Sequence, residues 1–213
     1  MLVSLFGNRL PRAAAPLFPD LLWRRPDGTR SLYLTFDDGP CPKTTAATLD
    51  LLDRYGLRAA FFLLGGGARR HPGLVRAIHD AGHAVAQHTD THPDAWKTPP
   101  DLVEREMASA TAVLEDLTGA PVRWMRPPYG RFTTSMRRWC RAHGQRIVMW
   151  DVMPGDFLPK TTTDDVLRRT LGLVRPGSIL VLHEGNHAAT VTPAALERLL
   201  PRLLDEGYRF GTL

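Results

Sequence analysis

The chain has 213 residues, 43% of them hydrophobic and 23% charged, and a net charge of +5. That is enough for one domain with a sizeable core. Charge is mixed along the chain, with no basic stripe interleaved with aromatics, which argues against a nucleic-acid partner; no apolar run approaches the ~20 residues that span a bilayer. Residues 1–30 read as an N-terminal extension. The stretch Leu2 to Phe6 is too short, and too soon interrupted by Asn8 and Arg9, for a signal-peptide core. A cytoplasmic or membrane-peripheral location is therefore favoured, with export by an atypical signal as the alternative. Pro19 opens a predicted short helix through Arg25. Its apolar side, Leu17, Phe18, Leu21, Leu22 and Trp23, is expected to pack on the domain, with contact to a membrane surface as the alternative.

From Leu32 onward the pattern alternates. Strands are predicted at 32–36, 59–64, 84–87, 124–126, 146–151, 178–183 and 208–213, and helices at 44–55, 72–81, 101–117, 134–143, 163–174 and 194–206. Strands alternating with helices argue for a single α/β domain, 31–213, with a parallel sheet. A closed or nearly closed barrel and an open doubly wound sheet both satisfy that alternation. Cys41 and Cys140 lack metal-ligand spacing and are too few for a disulfide framework. Gly65-Gly66-Gly67 lacks the ending of a phosphate loop and reads as a permissive turn. Histidines 71, 79, 83, 143 and 187 have no motif context and are expected at the surface or at caps. Nothing in the sequence speaks to oligomeric state.

The polar residues favour the barrel. Asp37 and Asp38 follow the first strand, His88 and His92 the third, Arg126 and Tyr129 the fourth, and Asp151 and Asp156 the fifth; His183 ends the sixth. In a barrel the C-terminal strand ends converge on one face, so residues far apart in sequence would share a pocket. Asp37 and Asp38 end an apolar run, and neighbouring side chains on a strand point to opposite faces. Both can serve one site only if the backbone turns there, which Gly39-Pro40 permits. His88 and His92 are four apart, but Pro93 disfavours helical geometry at His92 and points to a loop. One aspartate with two histidines makes a three-ligand metal site open to water and substrate, suited to zinc or to nonhaem iron.

These residues resemble the polysaccharide deacetylase family, carbohydrate esterase family four, from about Leu32 to Leu213. The segments that carry the resemblance are Thr35-Phe36-Asp37-Asp38-Gly39-Pro40, His88-Thr89 with His92-Pro93, Arg126-Pro127-Pro128-Tyr129-Gly130, Asp156-Phe157 and Val181-Leu182-His183. The resemblance implies a distorted seven-stranded (β/α) barrel that hydrolyses acetyl groups from an N-acetylated carbohydrate. Asp37 would then be the general base, with Arg126 orienting it. Asp38, His88 and His92 would hold a divalent metal, zinc being the expected ion. Tyr129 would offer its backbone N–H to the oxyanion, and His183 would be the general acid, with Asp156 as its carboxylate partner. The residue types suit that chemistry: a metal polarises an amide carbonyl and acidifies water, and an imidazole beside a carboxylate favours its charged form. Phe157 replaces the family's usual Trp, Val181 a Leu, and Gln87 stands where Asn is frequent. The first two bear on substrate choice rather than reaction type. The alternatives are another amide or ester such as acetylated xylan, or a non-catalytic carbohydrate-binding protein on the same fold. Trp96 and Trp124 lie beside motifs, where either sugar stacking or core packing would account for them.

Overall fold

The computed structural model describes residues 14–213 apart from Asn186; the Leu2 to Phe6 stretch lies outside the described residues. Seven strands form one parallel sheet: β1 (Ser31–Gly39), β2 (Ala60–Leu63), β3 (Ala84–Gln87), β4 (Trp124–Met125), β5 (Arg146–Ile147), β6 (Ile179–His183) and β7 (Arg209–Gly211). Their order is β5-β4-β3-β2-β1-β6, with β7 paired to the start of β1. The helices are α1 (Pro42–Arg54), α2 (Gly65–Arg70), α3 (Pro72–Asp80), α4 (Pro100–Thr118), α5 (Thr134–Ala142), α6 (Thr163–Leu171) and α7 (Ala188–Asp205).

β1 is buried on both faces because both are apolar. Leu32, Leu34 and Phe36 join Phe61, Leu63, Leu180 and Leu182 in the cluster covered by helices. Tyr33, on the other face, packs with Ala60, Phe62, Ala86, Val148 and Ile179 inside the curl of the sheet. Strands buried on both faces read as near-continuous apolar runs, as this one does.

The expected seven-stranded barrel is only approximated; the sheet curls into a half-barrel. β4 and β5 have two residues each. Pro127 and Pro128 follow β4 almost at once and cannot donate to a ladder. Among the described residues, β5 and β6 are linked only by isolated bridges. Val181 N–H donates to Val152 C=O at 2.9 Å. The N-terminal segment fills the rest of the gap: Leu22 N–H donates to Ile147 C=O at 2.9 Å, and Leu22 C=O accepts from Met149 N–H at 2.8 Å. The helix expected from Pro19 to Arg25 does not form, because those backbone groups pair across the sheet instead. Leu21, Leu22 and Trp23 are buried there.

Two helices also differ from expectation. α7 begins at Ala188 rather than Ala194 and contains Pro193 and Pro201, Pro193 sitting inside its second turn. The glycine run opens α2. A Cβ on Gly65 would lie 2.2 Å from Asp90 Oδ1 and 2.9 Å from Ala110 Cα, so glycine lets α2 press against α4 and the loop after β3. Among the histidines without motif context, His83 is buried rather than exposed; its Nδ1 accepts from Ala59 N–H at 3.2 Å, and burial pulls its pKa down to about 4. Cys41 and Cys140 are both free thiols.

Candidate active site

The C-terminal ends of β1, β3, β4 and β6 meet at a cavity of about 300 Å³. Asp37, Asp38, His88, His92, Tyr129 and His183 line it. Arg126 and Asp156 stand behind it, fully buried. Eight of the nine polar residues that the sequence places at strand ends therefore come together. Asp151 does not join them: it holds Arg175 and Ser178, the latter donating to its Oδ2 at 2.6 Å.

The Asp pair reaches one pocket by a break in β1. Pairing with β2 shifts register between Asp37 and Gly39, and Asp38 is left-handed, with φ 71°. Asp37 stays on the inner face, where Arg126 holds it: the guanidinium donates to Asp37 Oδ1 at 2.5 Å and to Thr35 Oγ1 at 2.9 Å. Its other nitrogens donate to the carbonyls of Val148 and Met149, and Phe62 covers it with the ring centroid 3.9 Å away. Burial pulls the Arg126 pKa down, and Asp37 pushes it back up.

Asp38, His88 and His92 present ligand atoms that all lie within 4.8 Å of one another. Asp38 Oδ1 is 3.5 Å from His88 Nε2 and 3.3 Å from His92 Nε2. That buried oxygen makes no hydrogen bond among the described residues. His88 Nδ1 meets the Arg126 carbonyl at 2.7 Å, which makes Nδ1 the protonated nitrogen and leaves the Nε2 lone pair facing Asp38. Burial, against the opposing charge of Asp38, pulls the His88 pKa down to about 3, so the ring is neutral, the form that binds metals. An orphaned carboxylate oxygen beside two imidazoles fits a divalent cation. His92 reaches the cluster from a loop, with φ 66°, as Pro93 suggested.

On the opposite wall, His183 Nδ1 donates to Asp156 Oδ1 at 2.9 Å. Asp156 Oδ2 accepts from His183 N–H at 2.6 Å and from Thr192 Oγ1 at 2.7 Å, so three donors fix this carboxylate. Burial opposes the charged form of His183, but Asp156, with Asp37 and Asp38 behind it, outweighs burial and raises the pKa to about 9. Phe157 packs on the imidazole, ring centroids 4.5 Å apart. The cavity thus sets a fixed carboxylate and an imidazole of raised pKa beside a candidate cation site.

The family model for polysaccharide deacetylase matches residues 24–148. The chain belongs to the polysaccharide deacetylase family. A chitooligosaccharide deacetylase of Sinorhizobium fredii is 38% identical over 197 residues, covering 87% of this chain and 91% of that protein. A peptidoglycan-N-acetylglucosamine deacetylase of Bacillus cereus is 33% identical over 190 residues, covering 88% of this chain and 68% of that one. Among solved structures, the Bc1960 peptidoglycan N-acetylglucosamine deacetylase superposes with a TM-score of 0.88 at 30% identity, over 94% of each chain.

The deacetylase site also holds residues to which the sequence assigned no role. Gln87 Oε1 accepts from Thr89 N–H at 2.9 Å, and Gln87 Nε2 donates to Gln145, which in turn donates to Thr111. Glu106 on α4 accepts from the N–H groups of Asp90 and Thr91. These side chains hold the loop between His88 and His92, whose left-handed Thr89 (φ 65°) needs support. Gln87 was visible beside a motif; Gln145 and Glu106 carry no local signal. Trp150 and Glu184 line the cavity as well. The Glu184 side chain is buried, and its carboxyl oxygens make no hydrogen bond among the described residues. Burial, with the negative charges of Asp38 and Asp37, pushes its pKa up to about 8. Its carboxyl lies against Gly39, where a Cβ would come 1.8 Å from Oε2, so a side chain there would displace Glu184.

Proposed function

We propose that this deacetylase hydrolyses the acetamide of N-acetylated sugar residues in a carbohydrate oligomer or polymer, releasing acetate and leaving the free amine. Residues 31–213 carry the catalysis. Asp38, His88 and His92 hold a divalent ion, for which the carboxylate and two imidazoles suit zinc. When bound, that ion supplies Lewis-acid polarisation of the acetamide carbonyl and lowers the pKa of the attacking water.

The chain's own residues do the rest. Asp37, held by Arg126 at 2.5 Å, takes the proton from the attacking water. The backbone N–H of Tyr129 donates to the oxygen that gains charge as the carbonyl becomes tetrahedral. His183, cationic and clamped by Asp156, gives its proton to the departing nitrogen, which then leaves as an amine. A positioned acid or base of this kind contributes about 10²–10⁴-fold. Phe157 and Trp150 give the acetyl methyl apolar walls.

The observation that carries this reading is the fixed Asp37 carboxylate beside the orphaned Oδ1 of Asp38. The test is acetate release by zinc-loaded protein from N-acetylglucosamine oligomers, peptidoglycan fragments and acetylated xylan. Release from the N-acetylated substrates, lost on chelation and restored by zinc, is expected. Release from acetylated xylan alone would replace the amide by an ester, and silence across the panel with zinc bound would leave a binding role.

A further inference from the structure

Outside the cavity, a second feature of the same rim is built with more care than a solvated loop requires. Trp96 follows the His92 loop and is 68% exposed, although large aromatics are seldom left so open. Its position is nevertheless fixed. The indole Nε1–H donates to Phe132 C=O at 3.2 Å, and the Trp96 backbone N–H donates to Asp94 Oδ1 at 3.1 Å. Asp94 Oδ2 pairs with the Arg131 guanidinium, whose central carbon lies 5.1 Å from the Trp96 ring and 5.7 Å from the Tyr129 ring. Tyr129, itself 61% exposed, packs edge-on against His92 at 4.5 Å and lines the cavity. A continuous strip thus runs from a cation-site histidine through Tyr129 and Arg131 to Trp96.

The chemistry of the strip narrows its ligand. A pyranose ring has an apolar C–H face and a rim of hydroxyls. An open indole face suits the first, and a guanidinium, with donors beyond the one used by Asp94, suits the second. We infer that Trp96, Arg131 and Tyr129 form a subsite for a sugar ring neighbouring the one that is deacetylated, so that the enzyme favours an extended carbohydrate chain over a short one. This rests on the deacetylase reading of the cavity. The strip is continuous with that cavity through Tyr129, which favours a further part of the same substrate over a separate protein partner.

The experiment compares wild type, Trp96→Ala and Trp96→Phe, zinc-loaded, on N-acetylglucosamine oligomers of two to five units, following acetate. In parallel, calorimetry measures binding of the same oligomers to each protein in an Asp37→Asn background. For Trp96→Ala the loss in kcat/KM is expected to grow with oligomer length, to about tenfold on the pentamer, chiefly through KM, with Trp96→Phe restoring most of it. Pentamer binding weakens in parallel. A loss equal at all lengths, or no loss, overturns the subsite. Wild-type protein that binds the pentamer in a Trp96-dependent way but releases no acetate overturns the deacetylase reading and leaves the subsite standing. Absence of both binding and release overturns both.

Discussion

Asp37 and His183 are register partners on adjacent parallel strands, β1 and β6. Partnered residues in a parallel sheet point to the same face, so two residues far apart in sequence stand at opposite walls of one cavity without help from any loop. Each is then fixed from behind, Asp37 by Arg126 and His183 by Asp156. The sheet sets the separation of these two side chains, and the buried partners set their orientation.

If Asp37 is the base, Asp37→Asn keeps its shape and its place beside Arg126 but cannot accept a proton. We expect acetate release to fall by about 10²–10⁴-fold while zinc still binds. Acetate assays with parallel metal analysis check this; unchanged turnover would move the base elsewhere.

The Asp156–His183 pair predicts a pH effect. The pKa of His183 is raised to about 9 by Asp156 and the Asp37 and Asp38 charges, against burial. An acid that must be protonated sets the alkaline limb of kcat/KM. In Asp156→Asn that limb moves to lower pH. Folding stability follows the same sign: the contribution of a raised histidine is complete below about 6.5 and is lost as pH rises through its folded value. A pH–rate profile of both proteins reads the shift, and an unmoved alkaline limb would mean that another group is the acid.

Gln87 is expected to act on the cation site through the loop it holds. Gln87→Ala removes the acceptor for Thr89 N–H between His88 and His92. Outer partners of metal ligands commonly contribute about 10–100-fold to affinity. Zinc affinity, measured by competition with a chromogenic chelator, should fall by about tenfold, and Gln145→Ala should show a smaller loss. Equal affinities in wild type and Gln87→Ala would confine Gln87 to packing.

Glu184 makes a prediction about stability rather than rate. Burial raises its pKa from 4.5 to about 8. The folded state keeps the carboxyl protonated where the unfolded chain ionises it, so stability drains away as pH rises from about 4.5 to 8. Glu184→Gln removes that linkage and should raise stability at pH 8, with little change at pH 4. Urea midpoints at the two pH values check the sign.

Much of the site was legible in the sequence because its chemistry sits at strand ends. Asp37-Asp38, His88 with His92, and His183 each terminate or follow an apolar run, and a parallel α/β alternation brings such ends to one face. Pro93 likewise marked the loop geometry of His92. These are local signals of chain direction, period and turn chemistry, and they suffice to bring these side chains to one cavity and to give the class of fold. What they did not show depends on contacts between distant segments. The gap between β5 and β6 is filled by Leu22, whose amide finds Ile147 across 125 positions, so a segment that reads as a helix becomes part of the sheet. Gln145 and Glu106 support the cation loop from elements with no motif of their own. Glu184 follows His183 with no motif of its own, and its burial against Gly39 of β1 shows only in the packed chain. Hydrogen-bond pairing and burial belong to the packed chain as a whole, and so the closure of the sheet and the outer support of the site were decided by the tertiary structure alone.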